Sequence, residues 1–404
     1  MKVYTARQAI LNRKENVVAY ELLYRGGPEN IFPNIDPHKA TSKLLMRTHL
    51  NQGLGIVTDG KPALINFPEE SILTGLPLIL PPNEVMIEIL ETVTPSDEVY
   101  QACRTLYHQG YHLALDDFVY KAEWNRFFNL VKLIKFDIQS TSLDELAPLI
   151  NKLKARKNLK ILAEKVETKE EFLQAKKLGF HYFQGYYFCK PEMSENKEID
   201  SSQPILLNLM QECLRTQLNV ENISGFFERD VGLSFKLFKF INSGVLPLTQ
   251  RITSIKSALI YLGENETKKL ILLLTAGILA KDKPQELTRL AIIRAKFCEL
   301  MAAKTMPELA DAGFMVGLFS LLDAMLDSPL EKILTDLSLA PEVLSALTGK
   351  SPSSLKYILN AVSYYEQGSW YNTKCNAEMV RVNYEELTNY YQSALVWANK
   401  YNNT

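Results

Sequence analysis

Acidic and amide side chains recur inside, or at the ends of, short runs that are otherwise apolar and β-branched. No other feature constrains the fold of this chain as tightly. The runs are VVAYEL (17–22), ALINF (63–67), VMIEIL (85–90), YHLALDDF (111–118), LIKFDI (133–138), LKILAEKVE (159–167) and HYFQGYYF (181–188). Helical patterns separate several of them, among them SDEVYQACRTLYHQG and TKEEFLQAKKLGF. The second carries Phe172, Ala175 and Leu178 at helical spacing and a stop at Gly179. Strands that are apolar nearly throughout and alternate with helices are buried on both faces and run parallel, as in a (β/α) barrel. The opening stretch differs: ARQAILN, RKEN and VVAYELL read as a hairpin, so the barrel begins with an antiparallel pair.

Around Pro191 the grammar changes. EMSENKEIDSSQP is polar and reads as a linker, and from Ile205 helical periodicity takes over. Phe226, Phe227, Leu233, Leu237 and Ile241 share one face, and Leu318, Leu321, Leu322 and Met325 another. Asn242-Ser243-Gly244 and Leu262-Gly263 read as helix stops. A length of 404 residues suits two domains of roughly 200, which places a barrel over 1–193 and an all-α domain over 200–404. The tail from Tyr384 to Tyr401 reads as one more helix.

A net charge of −1 gives no bulk electrostatic case for nucleic acid or for a membrane surface. The five cysteines are scattered, odd in number and without a CxxC pair, which argues against disulfides and zinc and for a reducing compartment. The first residues, MKVYTARQAI, form no apolar signal core, and Leu270 to Ala280 falls far short of the roughly 20 residues that span a bilayer. A cytoplasmic location is the expectation.

Glu21, Asn66, Glu88, Asp116, Asp117, Lys135, Asp137, Glu164, Glu167 and Gln184 each sit within or at the end of a strand run. In a (β/α) barrel the strand ends converge on one face, where active sites are built. So many carboxylates on one face repel one another unless cations lie between them. Hard oxygen ligands with one amide, and without Cys or His, favour Mg²⁺ or Mn²⁺ over zinc. Such a site beside a lysine suits metal activation of water and in-line attack on a phosphodiester.

The ordered set YELLYR, LINF, IEILE, LDDF, IKFD, AEKVE and QGYYFCKP resembles the EAL-domain phosphodiesterase family across residues 1–192. The resemblance implies a modified TIM (β/α)8 barrel with one antiparallel strand. It assigns Glu21, Asn66, Glu88 and Asp116 to one ion, and Asp116, Asp117 and Glu164 to a second. It places Lys135 against the attacking water and makes Glu164 a general base or metal ligand. Asp137, Glu167 and Gln184 would support the site, Arg25 would face a substrate phosphate, and Glu91 would steady the loop after the paired aspartates. Two departures stand out. Leu22 replaces the alanine of the Glu-Ala-Leu signature, and Val119 replaces a glycine after Asp-Asp-Phe. A β-branched residue is unfavourable wherever φ must be positive, so a strained loop that weakens the second metal position is expected there.

All five histidines, His38, His49, His108, His112 and His181, lie in the first half. The second half resembles the HDOD family, relatives of HD metal phosphohydrolases that lack the metal site, through FKLFKFINSG, ITSIKSALIYLG and AGFMVGLFSLLDAML. Ser320 and Leu321 fill the place of the catalytic His-Asp pair. Together these resemblances imply an enzyme that opens cyclic di-GMP to linear pGpG, with a non-catalytic helical domain for regulation or a protein partner, and with a homodimer left open. The alternative is a weak or inactive barrel that serves as a cyclic di-GMP or protein-binding scaffold.

Overall fold

The computed structural model describes residues 4–25, 54–156, 158–190, 203–215, 217–229, 237, 254–335, 337 and 339–402. Pro191 and the linker after it, His38, His49, Leu233, Ile241, the Asn242-Ser243-Gly244 stop and most of the FKLFKFINSG stretch lie outside the described residues. So does the side chain of Arg25.

Eight strands close a barrel in sequence order: β1 (Tyr4–Asn12), β2 (Val17–Arg25), β3 (Ala63–Phe67), β4 (Val85–Ile89), β5 (His112–Leu115), β6 (Val131–Asp137), β7 (Lys160–Glu164) and β8 (Tyr182–Gln184). β1 pairs antiparallel with both β2 and β8, and every other neighbouring pair is parallel. The single reversed strand follows from a tight hairpin. Asn12 Oδ1 accepts the backbone N–H groups of Lys14 (2.8 Å) and Asn16 (3.1 Å), and Glu15 takes a left-handed φ of 63°.

The helices behind the strands are α1 (Leu54–Thr58), α2 (Glu69–Leu73), α3 (Asp97–His108), α4 (Leu143–Leu153) and α5 (Lys169–Leu178). The last has a complete capping box, in which Thr168 accepts from Glu171 N and Glu171 accepts from Thr168 N, and it stops at left-handed Gly179. Inside the barrel an apolar layer is built from Ile10, Ala19, Leu64, Ala114, Leu133 and Leu162, with Met86 and Tyr182 against it. Because strand side chains alternate with a period of two, this layer fixes what comes next. One step of two residues toward the C-terminal face, on every strand, lies a second layer.

The contacts divide the chain into two units. One is Met1–Phe188 with Ser363–Cys375, the other Cys189–Val362 with Asn376–Thr404. The short segment Ser363–Cys375, read from sequence with the helical half, therefore groups with the barrel.

In order, the later helices are α6 (Gln203–Cys213), α7 (Val220–Arg229), α8 (Ile255–Leu279), α9 (Gln285–Thr305), α10 (Ala310–Phe319), α11 (Leu322–Leu326), α12 (Leu330–Thr335), α13 (Pro341–Thr348), α14 (Ser354–Glu366), α15 (Trp370–Met379) and α16 (Leu387–Asn402). Gly263 breaks α8 with φ 75° and ψ 171°, where the sequence reads a stop. α9 packs against α10 and α16. The α9–α10 approach is close because Gly317 has no side chain: a Cβ there would lie 2.5 Å from Arg294 O. No helix among the described residues is long and apolar enough to cross a membrane.

One backbone corner is indispensable to the barrel's last strand. Gly185 has φ 150°, and a Cβ on it would stand 2.1 Å from Val166 O and 2.5 Å from Val166 N. Those two groups bond Tyr187 N (3.2 Å) and Gln184 O (3.0 Å), which joins the end of β8 to the loop after β7. Gly185→Ala is expected to cost at least about 2 kcal/mol, read as a lower urea midpoint of the full-length protein.

Candidate active site

Two residues on from the apolar layer, the polar layer takes one side chain from each strand. They are Glu21, Asn66, Glu88, Asp116, Lys135, Glu164 and Gln184, with Gln8 on β1, where the reversed direction places it two residues before Ile10. Asp116 stands just past the end of β5, its N–H held by Ile89 O at 3.0 Å.

Lys135 is the centre. Its ammonium is fully buried and stands 2.7 Å from Asp116 Oδ1, 2.8 Å from Glu88 Oε1, 2.9 Å from Glu164 Oε1 and 3.0 Å from Glu21 Oε2. Amides complete the layer. Asn66 Nδ2 donates to Glu21 Oε1 (3.1 Å), and Gln184 Nε2 donates to Glu21 Oε2 (2.6 Å) and to Gln8 Oε1 (2.9 Å).

Burial and charge act against each other here. Burial alone disfavours the Lys135 ammonium, yet Glu164, Glu21, Glu88 and Asp116 more than offset it and raise its pKa well above the ordinary value. For the carboxylates the balance differs from one to the next. Burial pushes Glu88 well up despite Lys135, raises Asp116, and lifts Glu164 to about 8. Burial also pushes on Glu21, but Lys135 and the hydrogen bonds from Gln184, Lys135 and Asn66 outweigh it, so Glu21 stays below the usual range. Its lysine and amide bonds thus favour the ionised form of Glu21, while burial favours the protonated form of Glu88, Asp116 and Glu164.

Several acceptors in this layer are buried without a hydrogen-bond partner: Asn66 Oδ1, Glu88 Oε2, Glu164 Oε2 and Gln184 Oε1. Glu88 Oε1 joins them. Its contact with Lys135 is an ion pair by distance but lacks hydrogen-bond geometry. Unsatisfied buried oxygens of this kind are the donor chemistry of a hard divalent cation. Among the described residues no group of three or more His, Cys, Asp or Glu is spaced as a ready metal cluster. The carboxylates are instead gathered on the ammonium, so the donor set suits a cation by chemistry while its present spacing is set by Lys135.

The other residues singled out from sequence divide clearly. Asp117 is half-buried, raised by burial, and sits at φ 40°, with its turn tied down by Phe118 N donating to Lys135 O at 2.9 Å. Asp137 turns away from the ammonium. It accepts from Gln139 N (2.8 Å), from Ser140 N (3.1 Å) and Oγ (2.6 Å), and from Lys165, and these bonds hold it low against its burial. Glu167 is exposed at the entrance to α5, and Glu91 is exposed and acts on Asp117 only through space. Arg25 ends β2, with its side chain outside the described residues.

The strain expected at Val119 is not there. Val119 is exposed and has no positive φ; the left-handed residues of this face are Asp117 and Lys165 (φ 55°). The loop after the aspartates is anchored by Phe118, which meets Trp124, Phe128 and Phe136 edge-on. Sequence reasoning missed Gln8 and Lys165. For Gln8 a signal exists, since the period of two runs backward from Ile10.

Fold and site together define a class. The sequence matches the EAL domain over residues 66–191 and the HDOD domain over residues 200–325, and the chain belongs to the family of EAL-domain proteins fused to an HDOD domain. Its relatives include a protein of Vibrio cholerae serotype O1 named cyclic di-GMP phosphodiesterase CdgJ, 36% identical over 370 residues, covering 91% of this chain and 85% of that one. The uncharacterized protein YuxH of Bacillus subtilis is 35% identical over 405 residues, covering 98% of each. Among solved structures, an EAL domain protein from Listeria monocytogenes EGD-e is similar at 20% identity and a TM-score of 0.38, over 46% of this chain and 87% of that one.

Two outcomes are expected. In chelator, Glu164 binds its proton more tightly folded (about 8) than unfolded, where it takes the ordinary value of 4.5. The folded state therefore holds more protons between those values, and stability falls as pH rises through that window. Thermal scans in chelator at pH 5 and pH 8 should show this, and Glu164→Gln should flatten the slope. Gln8→Leu, which removes the bond from Gln184, should lower stability by about 1 kcal/mol, the contribution of one buried hydrogen bond, read as a lower urea midpoint.

Proposed function

We propose that the barrel is a metal-dependent phosphodiesterase that hydrolyses cyclic di-GMP to linear pGpG. The observation that carries the reading is the layer itself: four carboxylates around one buried lysine, beside buried acceptors that lack partners, at the C-terminal face of the barrel. The name of the V. cholerae relative supports the choice of substrate. Glu21, Asn66, Glu88, Asp116, Asp117 and Glu164 would hold Mg²⁺ or Mn²⁺, which supplies an activated water and neutralises charge on the phosphate.

The chain's own residues do the rest. Lys135 orients the attacking water and balances the carboxylates around it. Glu164, whose pKa burial raises to about 8, takes a proton from that water when it is ionised. Gln8 and Gln184 fix the Glu21 carboxylate. Asp137 holds the loop after β6 and the Lys165 head, and so supports the site from behind. Arg25 is the candidate for contact with a substrate phosphate, Glu91 for steadying the loop after the paired aspartates, and Glu167 for support of the site.

The helical domain, 200–404, is a non-catalytic regulatory or partner-binding module in this reading. Where a metal-binding His-Asp pair would stand, Ser320 Oγ donates to Gly317 O (2.7 Å) and accepts from Arg294 Nη1 (2.9 Å), while Leu321 is buried. A hydroxyl committed to its own helix and a leucine hold no metal. The module acts in the cytoplasm, alone or as a dimer of the whole chain.

Purified protein with Mn²⁺ or Mg²⁺ and cyclic di-GMP should yield linear pGpG by chromatography. Lys135→Met should lower kcat at least a hundredfold while the protein still takes up Mn²⁺. Nucleotide binding without any product would leave only the scaffold.

A further inference from the structure

Three observations concern the segment Ser363–Cys375, which groups with the barrel although it lies deep in the helical half of the sequence. First, the Tyr186 hydroxyl donates to Glu366 O at 2.8 Å. Second, Gly368 rests on Leu23: a Cβ at Gly368 would be 3.1 Å from Leu23 Cδ1 and 3.9 Å from Leu23 Cβ. Third, the turn between α14 and α15 is built for this position. Gly368 is left-handed at φ 69°, its N–H bonds Tyr365 O (3.0 Å) and Ser369 N bonds Tyr364 O (2.8 Å). Tyr365 and Trp370 flank the turn, fully buried and edge to face at 5.1 Å.

The place of contact gives this turn its meaning. Leu23 stands two residues beyond Glu21 on β2, so the alternation of the strand turns both to the same side of the barrel wall, with Leu23 nearer the C-terminal rim. Tyr186 follows Gln184 by the same two residues past β8. β2 and β8 are the two neighbours of β1, so the turn touches both flanks of the sector that carries Gln8, Glu21 and Gln184. In that sector Glu21 is only 5% exposed and Gln184 2%, a degree of closure at odds with entry of a ligand the size of a cyclic dinucleotide.

We propose that the Gln367–Ser369 turn is a strap over the β8–β1–β2 sector of the mouth, and that it has to leave Leu23 before a cyclic dinucleotide reaches the polar layer. This rests on the reading of that layer as a phosphodiester site. The occupant of the Leu23–Tyr186 rim is the chain's own segment, and that segment is covalently continuous on both sides with the helical unit. Release of the strap is then the step on which a regulatory input acts.

A reversible lock tests it in the full-length protein. The 3.9 Å spacing of the two Cβ positions lies within the roughly 3.5–4.5 Å that a disulfide spans. The variant carries Leu23→Cys and Gly368→Cys, with the part-exposed Cys189 and Cys375 changed to Ser. Mild oxidation should join residues 23 and 368 in most molecules, by peptide mass; a pair that does not form overturns docking. Cyclic di-GMP binding in Ca²⁺ should be at least tenfold weaker oxidised than reduced, and equal binding overturns the strap. Carbodiimide labelling of Glu21, which needs no ligand, should slow at least threefold on oxidation. If neither form binds the nucleotide but labelling slows, the strap stands and the cyclic di-GMP reading falls. Equal labelling overturns the strap whatever the nucleotide does.

Discussion

A buried ammonium among four carboxylates organises this barrel. Lys135 alone in the centre would carry a desolvation cost of several kcal/mol, and so would each carboxylate. Together they hold one another in place, but the charges do not balance: one cation faces four acids. The excess is settled by protons, which burial keeps on Glu88, Glu164 and Asp116 more tightly than water would, while Glu21 stays ionised under its amide and lysine bonds. A layer in that state is poised for exchange. In the function proposed above, a divalent cation would bring the charge that the protons only partly supply, and the oxygens without partners would be its ligands.

Much of this was legible in the sequence because a strand buried on both faces has little reason to carry Glu, Asp or Lys. Each such residue inside an apolar run therefore stood out, and the barrel topology gathered them at one end. The misses have physical reasons. Gln8 escaped because β1 runs backward, so its contribution comes before its apolar residue instead of after it, and a neutral amide near the start of the chain raises no alarm. At Val119 the sequence placed the unusual backbone two residues late; Asp117 bears it, and a cluster of aromatic rings holds the loop.

The helical half was legible in kind and not in arrangement. Helical spacing reports that a face is buried and is silent on what buries it. Tyr365 and Trp370 lie in the helical half of the sequence and are buried, yet their segment groups with the barrel. Gly263 shows the opposite case, since a single residue with a positive φ predicts a break in a helix from local chemistry alone.

The reversed β1 has a consequence for the order in which the protein is made. Barrel closure waits for the first strand to meet the last, and the amide bond from Gln184 to Gln8 forms across that seam. On the ribosome the polar layer stays incomplete until β8 has emerged, and the turn at Gly368 emerges only after most of the helical half. A newly made barrel thus closes around its carboxylates without the Gly368 turn while more than a third of the chain is still being synthesised, an interval in which whatever settles on Leu23 and Tyr186 precedes the turn that later meets them.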